Sequence, residues 1–274
     1  NLIRNGDFEE SIDGRPVAWI VPEYWAGQLA AVDDPREAYQ GRGAARLTTS
    51  YSRERWWGRV LQEGTFPVVL GQPFRYTLRV KGKGEISLGA IRYTKRVPGR
   101  PHYQYLWQES STTLSPEWQQ VAMDITITDP AFLRVALVAE VRGEGATAWL
   151  DEARFHPRIE PGVMWSVTPE HPMIAAGETT VIRFRIARDQ GEIGPGPTTV
   201  FVIGPEGTVH GSECPLLNGA ADYSFVAPVD ADGLWTVTFA HPPTGAAQSV
   251  AIDVLTPDLF RQFKSAADGL TRPQ

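Results

Sequence analysis

Runs of alternating apolar and polar residues, cut every few positions by Gly and Pro, constrain this chain more than any other feature. In Phe74–Val80 (FRYTLRV) the alternation is that of a half-buried strand. Ile86–Tyr93, Trp118–Ile127 and Phe132–Val141 are similarly β-rich. Turn formers separate these runs: Gly71-Gln72-Pro73, Gly82-Lys83-Gly84, Ser115-Pro116, Asp129-Pro130 and Gly143-Glu144-Gly145. Short strands at even spacing, without helices between them, predict an antiparallel all-β sandwich or jelly roll rather than a parallel sheet. Helical periodicity is confined to Asp258–Ala267, which follows Pro257 and precedes Gly269.

The chain is long enough for two domains with separate cores: it has 274 residues. Its 42% hydrophobic content excludes a disordered chain. No apolar stretch approaches the ~20 residues of a membrane span. Cys214 is the single cysteine, so no internal disulfide holds the fold. The sequence begins at Asn1 with neither an initiator Met nor a signal sequence, as expected of a mature chain or an excised fragment.

A division near residue 157 exposes an asymmetry. Residues 1–157 contain 19 Lys and Arg against 19 Asp and Glu, whereas residues 158–274 contain 7 against 13. The first part also carries seven of nine Trp and seven of eight Tyr, so the two parts are not expected to share a task. Neither has the uniformly basic balance of a nucleic-acid surface. The expected organisation is a first domain at 1–157, a linker at 158–162, a second sandwich at 163–256 and a tail at 257–274. Strands are predicted in the second at Met164–Thr168, Thr179–Ile186, Thr198–Ile203, Asp222–Val226, Leu234–Ala240 and Gln248–Leu255. About seven strands in roughly 95 residues suit an immunoglobulin- or fibronectin-like sandwich. The segment Ala231–Thr238 (ADGLWTVT) weakly resembles a late strand of bacterial modules of that kind.

The opening Asn1–Glu9 (NLIRNGDFE) reads as a β-edge, an Asn5-Gly6 turn and an acidic pair, Asp7 and Glu9, around an apolar Phe8. Carboxylates and backbone carbonyls are the hard oxygen ligands that Ca²⁺ takes. Acidic residues at a strand end are equally compatible with simple solvation.

Five segments, in order, resemble the carbohydrate-binding modules of families four, nine, sixteen and twenty-two. They are Asn1–Glu9, Tyr39–Leu47 (YQGRGAARL), Arg53–Gly58 (RERWWG), Pro116–Val121 (PEWQQV) and Trp149–Phe155 (WLDEARF). The usual His and Ser of the second motif are missing. Spanning residues 1–156, the resemblance implies a β-jelly roll with a structural Ca²⁺ joining its first and last strands. It implies Glu9 and Asp151 as side-chain ligands, with carbonyls of Asp7, Gln40 and Gly43. It further implies an accessory region of a secreted, extracellular polysaccharide-active enzyme, with a catalytic domain elsewhere in the parent chain. The partner would be a poly- or oligosaccharide, with no nucleic acid and no membrane.

Sugar binding requires flat aromatic faces ringed by polar groups. Candidates are Trp25, Trp56, Trp57, Tyr93, Tyr103, Tyr105 and Trp107, with Arg53 beside them. The family's Trp-x-Gly platform on the concave face maps to Trp56. In Tyr103–Trp107 (YQYLW) the strand period of two sends Tyr103, Tyr105 and Trp107 to one face, and Gln104 and Leu106 to the other. That strip suits a binding platform or a core layer. Trp19, Trp118 and Trp149 are assigned to the core. Arg92, Lys95, Arg96 and Arg100 surround a turn, either as a solvated hairpin tip or as a cationic lip for an acidic polysaccharide. His210 and Cys214 fall short of a zinc site, and the local motifs of hydrolases, metalloproteases and nucleotide-binding loops are absent. The expectation is a non-catalytic polysaccharide-binding region. The alternative is a structural or protein-contact pair of sandwiches with a degenerate sugar cleft.

Overall fold

The computed structural model describes all residues except 94–101, 130, 133, 207, 208, 231 and 271–274, and describes no side chain at 209 or 266–270. It divides into two compact units. The first comprises 1–68, 73–126 and 131–158; the second comprises 69–72, 127–130 and 159–274.

The first unit is built around two long strands, Pro73–Tyr93 and Arg134–Pro157, paired antiparallel along most of their length. Both run through one continuous hydrogen-bonded sheet, of eleven strands among the described residues, which a break in their register divides into two halves, the first and second sheets. In the first sheet the order is Tyr103–Trp107, then the later half of Pro73–Tyr93, the earlier half of Arg134–Pro157, and Arg55–Gln62. The second runs Gln119–Thr126, the earlier half of Pro73–Tyr93, the later half of Arg134–Pro157, Gly43–Thr48 and Gln28–Asp33. The break lies where the register jumps from Arg142↔Glu85 to Thr147↔Lys83. Gly82 and Gly84 stand there at φ +140° and +111°. A Cβ on Gly84 would lie 2.6 Å from the Arg142 carbonyl oxygen, and one on Gly82 would lie 2.0 Å from that of Thr147. Gly82-Lys83-Gly84 and Gly143-Glu144-Gly145, read from sequence as turns between strands, are therefore the corner of two continuous ones.

Inner faces of the two sheets carry Val60, Leu88, Ala90, Leu137, Ala139 and Val141, and Leu47, Leu78, Val80, Leu150 and Phe155, all without solvent exposure. Phe66, on the first sheet's side, reaches Phe155 of the second at 5.5 Å between ring centroids. The first unit is thus an all-β sandwich.

The second unit is also a two-sheet sandwich. One sheet orders Val163–Pro169, Thr179–Arg188 and Ala220–Val226; the other orders Met173–Ala175, Ala246–Leu255, Gly233–His241, Gly196–Ile203 and Val209–Leu216. The sequence reading lacked Met173–Ala175 and Val209–Leu216. Phe184 and Phe239 stack between the sheets at 5.5 Å, among Ile182, Val200, Val237 and Ile252. A helix, Pro257–Leu270, follows. Thr256 begins it: its hydroxyl accepts from the Leu259 amide at 3.4 Å, with Pro257 in the first helical position and Asp258 in the first turn. No helix among the described residues is long and apolar enough to cross a membrane.

Candidate functional site

Strand alternation collects one set of side chains on the outer face of the first sheet. Arg55–Gln62 contributes Arg55, Trp57, Arg59 and Leu61, and Arg134–Pro157 contributes Ala136, Val138, Glu140 and Arg142. Ser87, Gly89, Ile91 and Tyr93 come from the next strand, and Tyr103, Tyr105 and Trp107 from the edge. Gly89 sits between Val138 and Trp107 across the ladder. A Cβ there would lie 2.5 Å from the Trp107 ring, so the glycine is what lets the indole lie over the strand. Trp25 arrives from a loop held by the Arg59 amide donating to the Ala26 carbonyl at 3.1 Å.

The rings surround one guanidinium. Arg59 Cζ lies 4.9 Å from the ring centroids of Trp25, Trp57 and Trp107 and 5.4 Å from that of Tyr105. Such cation–π contacts strengthen as water is excluded, and the Arg59 side chain is only 12% exposed. Its Nε donates to Glu140 Oε2 at 2.9 Å, and its Nη2 reaches the same oxygen. Arg142 donates to the other carboxylate oxygen, and Arg55 approaches Oε2 at 4.0 Å while lying 5.2 Å from the Trp57 centroid. Glu140 has no solvent exposure. Burial pushes its carboxyl up, but Arg59 and Arg142 more than offset this, and it stays below the ordinary carboxylate value. Three guanidinium groups thus converge on one buried carboxylate.

Trp25 and Trp57 are buried beneath Arg59, whereas Tyr103 and Tyr105 are 42% and 37% exposed. Trp107 and Tyr93 are half-buried. Tyr105 and Trp107 lie parallel, 5.9 Å between centroids, and Tyr103 meets Tyr105 edge-on at 5.8 Å. Burial, then the neighbouring Tyr24, Tyr105 and Tyr103 phenols, raise the Tyr93 hydroxyl above its usual range. The result is an aromatic strip, Tyr105 and Trp107 parallel and Tyr103 turned on edge, bordered by hydroxyls and guanidinium groups.

Trp56 does not join it. By alternation it points away from Trp57, 5.7 Å from Tyr51 on the adjoining strand. Arg53 is exposed at the tip of that hairpin, where it and Glu54 both have positive φ, +51° and +63°. Trp118 and Trp149, expected in the core, are half-buried on the outer face of the second sheet, over Lys81 at 4.9 and 5.9 Å. Ala148 and Leu150 take the inward positions beside Trp149. Trp19 is in the core, 2% exposed. Arg92 donates to Gln104 and lies 4.3 Å from the Phe132 ring; Lys95, Arg96 and Arg100 fall outside the described residues. Arg59 and Glu140 were missed from sequence. Arg59 carries a readable signal, being two positions from Trp57, and Glu140 is the lone acid in an apolar run.

The proposed metal ligands gather elsewhere, around the Tyr39–Gly43 loop. Asp7, Glu9, Gln40 and Asp151 line one cavity of about 680 Å³ with Asn1 and Asn5. Glu9 Oε1 accepts from the Arg42 and Gly43 amides at 2.8 and 3.0 Å. Asp151 is fully buried; its Oδ2 accepts from the Tyr39 and Gln40 amides at 2.8 and 3.2 Å, and its Oδ1 from the Glu152 amide. Burial raises its carboxyl to about 6 despite those bonds. A buried carboxylate with no cationic side chain in ion-pair distance among the described residues fits a cation in charge. Among the described residues, however, no cluster of three or more Asp, Glu, His or Cys forms, so backbone carbonyls would have to complete the ligand set. The chain ends of this unit are also joined without metal. The Phe155 amide donates to Asn1 Oδ1 at 3.0 Å, the Asn1 side-chain amide to the Ala153 carbonyl, and the Ala153 amide to the Gly6 carbonyl. A Cβ on Gly6 would lie 2.2 Å from that Ala153 oxygen, which accounts for the Asn5-Gly6 pair.

Comparison with known proteins finds no matching family model and no matching curated protein. Solved structures with a similar fold include carbohydrate-binding modules. A family 61 module in complex with beta-1,4-galactotriose is 15% identical, covering 57% of this chain and 98% of its own, with a TM-score of 0.39. A xylan-binding family 22 module from Paenibacillus barcinonensis is 14% identical, covering 56% and 97%, TM-score 0.40. A tandem of two family 22 modules from the same organism covers 92% and 89% at 10% identity, TM-score 0.41.

Proposed function

We propose that the first unit is a non-catalytic carbohydrate-binding module that takes an oligosaccharide on the outer face of its first sheet. The observation that carries this reading is the strip of exposed Tyr103 and Tyr105 and half-buried Trp107, with Arg59 and the buried Trp25 and Trp57 rings beside it. Aromatic faces bury the apolar side of a pyranose with little side-chain entropy lost, and the phenols and guanidinium groups offer bonds to its hydroxyls. The Glu140 network holds Arg59, and Arg59 holds the rings, so the platform is organised before a ligand arrives.

The test is titration with a panel of neutral and acidic oligosaccharides. A ligand that binds the wild type should bind Trp107→Ala and Tyr105→Ala at least tenfold more weakly, a loss of about 1.4 kcal/mol or more. No binding by any panel member, or equal binding by both variants, overturns the reading. One observation favours a structural rival: the Arg59 guanidinium already fills the space among four rings, as in a cleft that no longer takes sugar. The same titration separates the two.

The surrounding assignments belong to the same proposal. The chain is an accessory region of an extracellular, polysaccharide-active enzyme, and the second unit is an immunoglobulin-like spacer. Glu9 and Asp151, with carbonyls of Asp7, Gln40 and Gly43, hold a structural Ca²⁺. A cation would neutralise the buried Asp151 and add a clip to strands already joined by Asn1. Ca²⁺ should therefore raise the unfolding midpoint of the first unit, and chelation should lower it. Indifference to both removes the metal from the account.

A further inference from the structure

The outer face of the second sheet carries a different arrangement of the same residue types. Alternation along Pro73–Tyr93 places Arg75, Thr77, Arg79 and Lys81 in one row, flanked by Asp151 (opposite Arg79), Arg154 and His156 on one neighbouring strand and Gln120 on the other. Arg75, Arg79, Arg154 and His156, with Tyr39, Gln120 and the acidic Glu152, line a cleft of about 460 Å³. Its charges are only partly compensated. Arg75 faces Asp124 at 3.6 Å and Arg154 faces Glu152 at 3.0 Å. Among the described residues, no carboxylate lies within ion-pair distance of Arg79 or Lys81. Instead the Arg79 guanidinium lies 4.6 Å from the Tyr39 centroid, and the Lys81 ammonium lies over Trp118 and Trp149. Tyr39 is 41% exposed and meets Trp118 edge-on at 5.9 Å. The His156 imidazole is held below its usual value by burial and then by neighbouring positive charge, Arg154 and Arg75 among it.

We infer that this face is a second saccharide site, selective for a uronate-bearing chain. Its carboxylates meet Arg79 and Lys81, and its sugar rings lie along Tyr39, Trp118 and Trp149. A planar carboxylate matches the guanidinium fork, and each cation lies against an aromatic ring, so charge and ring are offered together. Glu152, paired with Arg154, lies in the cleft itself, and Glu37, which accepts from Trp149 Nε1 at 2.9 Å, and Asp124 stand beside it. They oppose the denser charge of a nucleic-acid backbone. This inference stands apart from the aromatic strip of the first sheet and survives that strip's failure to bind.

The experiment is titration of the whole chain at low salt with a short oligogalacturonate and with its carboxyl-reduced, neutral counterpart. The acidic oligomer should bind and weaken as salt rises, and the neutral one should bind at least tenfold more weakly. Arg79→Gln/Lys81→Gln should weaken the acidic oligomer about tenfold with an unchanged unfolding midpoint, because neither side chain makes an ion pair among the described residues. Trp107→Ala should leave it within about twofold, a difference below the ~1.4 kcal/mol of a tenfold change. The inference is overturned by no uronate binding, by equal binding of the neutral oligomer, or by an unaffected double variant. Loss confined to Trp107→Ala, or tighter binding of sulfated dextran, polyglutamate or a single-stranded oligonucleotide, overturns it as well.

Discussion

The two outer sheet faces of the first unit are made of the same materials, arginine or lysine set against tryptophan and tyrosine, yet they solve opposite problems. On the first sheet Arg59 is enclosed by four rings and paired with a carboxylate that has no solvent exposure. On the second, Arg79 and Lys81 rest on rings without a carboxylate partner among the described residues. Water decides the difference. A desolvated guanidinium must be matched by a buried anion, and the matched pair then behaves as part of the core. A half-buried one that still reaches water needs no such partner and keeps its charge available. Cation–aromatic contact alone therefore does not distinguish structural from ligand-directed arginine; the counter-ion does.

The sharpest way to break this comparison is Glu140→Gln, which leaves Arg59, Arg142 and Arg55 without their shared carboxylate. Denaturant unfolding should show a loss of about 3 kcal/mol. Acid should report the same group. The folded Glu140 carboxyl lies below its ordinary 4.5, so its stabilisation is complete above that value and disappears as pH falls through the lower folded one. The acid limb of a stability–pH curve should accordingly be steeper in the wild type than in Glu140→Gln, and identical limbs would refute the role given to this carboxylate. A smaller effect is expected from Gly89→Ala, whose Cβ would press into Trp107. About 1–2 kcal/mol should be lost, together with the sugar affinity that depends on the indole's pose. Smallest of all is Arg79→Gln on the second sheet, with a stability change within about 0.5 kcal/mol. A large loss there would mean that the two faces are not different after all.

Much of the site's local geometry was legible in the chain. Tyr103, Tyr105 and Trp107 share a face because a strand's side chains alternate, a property of the backbone that needs no partner. Trp118 and Trp149, assigned to the core from sequence, lie outside it, and alternation could not have corrected this, since it says which residues share a face but not which face is wet. Trp149 lies outward because Ala148 and Leu150 pack inward. Gly82 and Gly84 were visible as breaks, but whether a glycine pair turns the chain or bends it depends on the Arg142–Thr147 segment lying across from it, some sixty residues later. Glu140 was invisible as a functional group for a similar reason. Nothing within its own strand marks it as the partner of Arg59, which is 81 residues away.

Alternating strands, the β-only architecture and the concentration of Trp and Tyr in the first 157 residues follow from the amino-acid order alone, because each rests on local periodicity or composition. Which aromatics enclose a cation, which cations keep their charge exposed, and where two strands turn a corner were decided by tertiary structure. Those outcomes depend on register and on desolvation, and both arise only when segments far apart in the chain become neighbours.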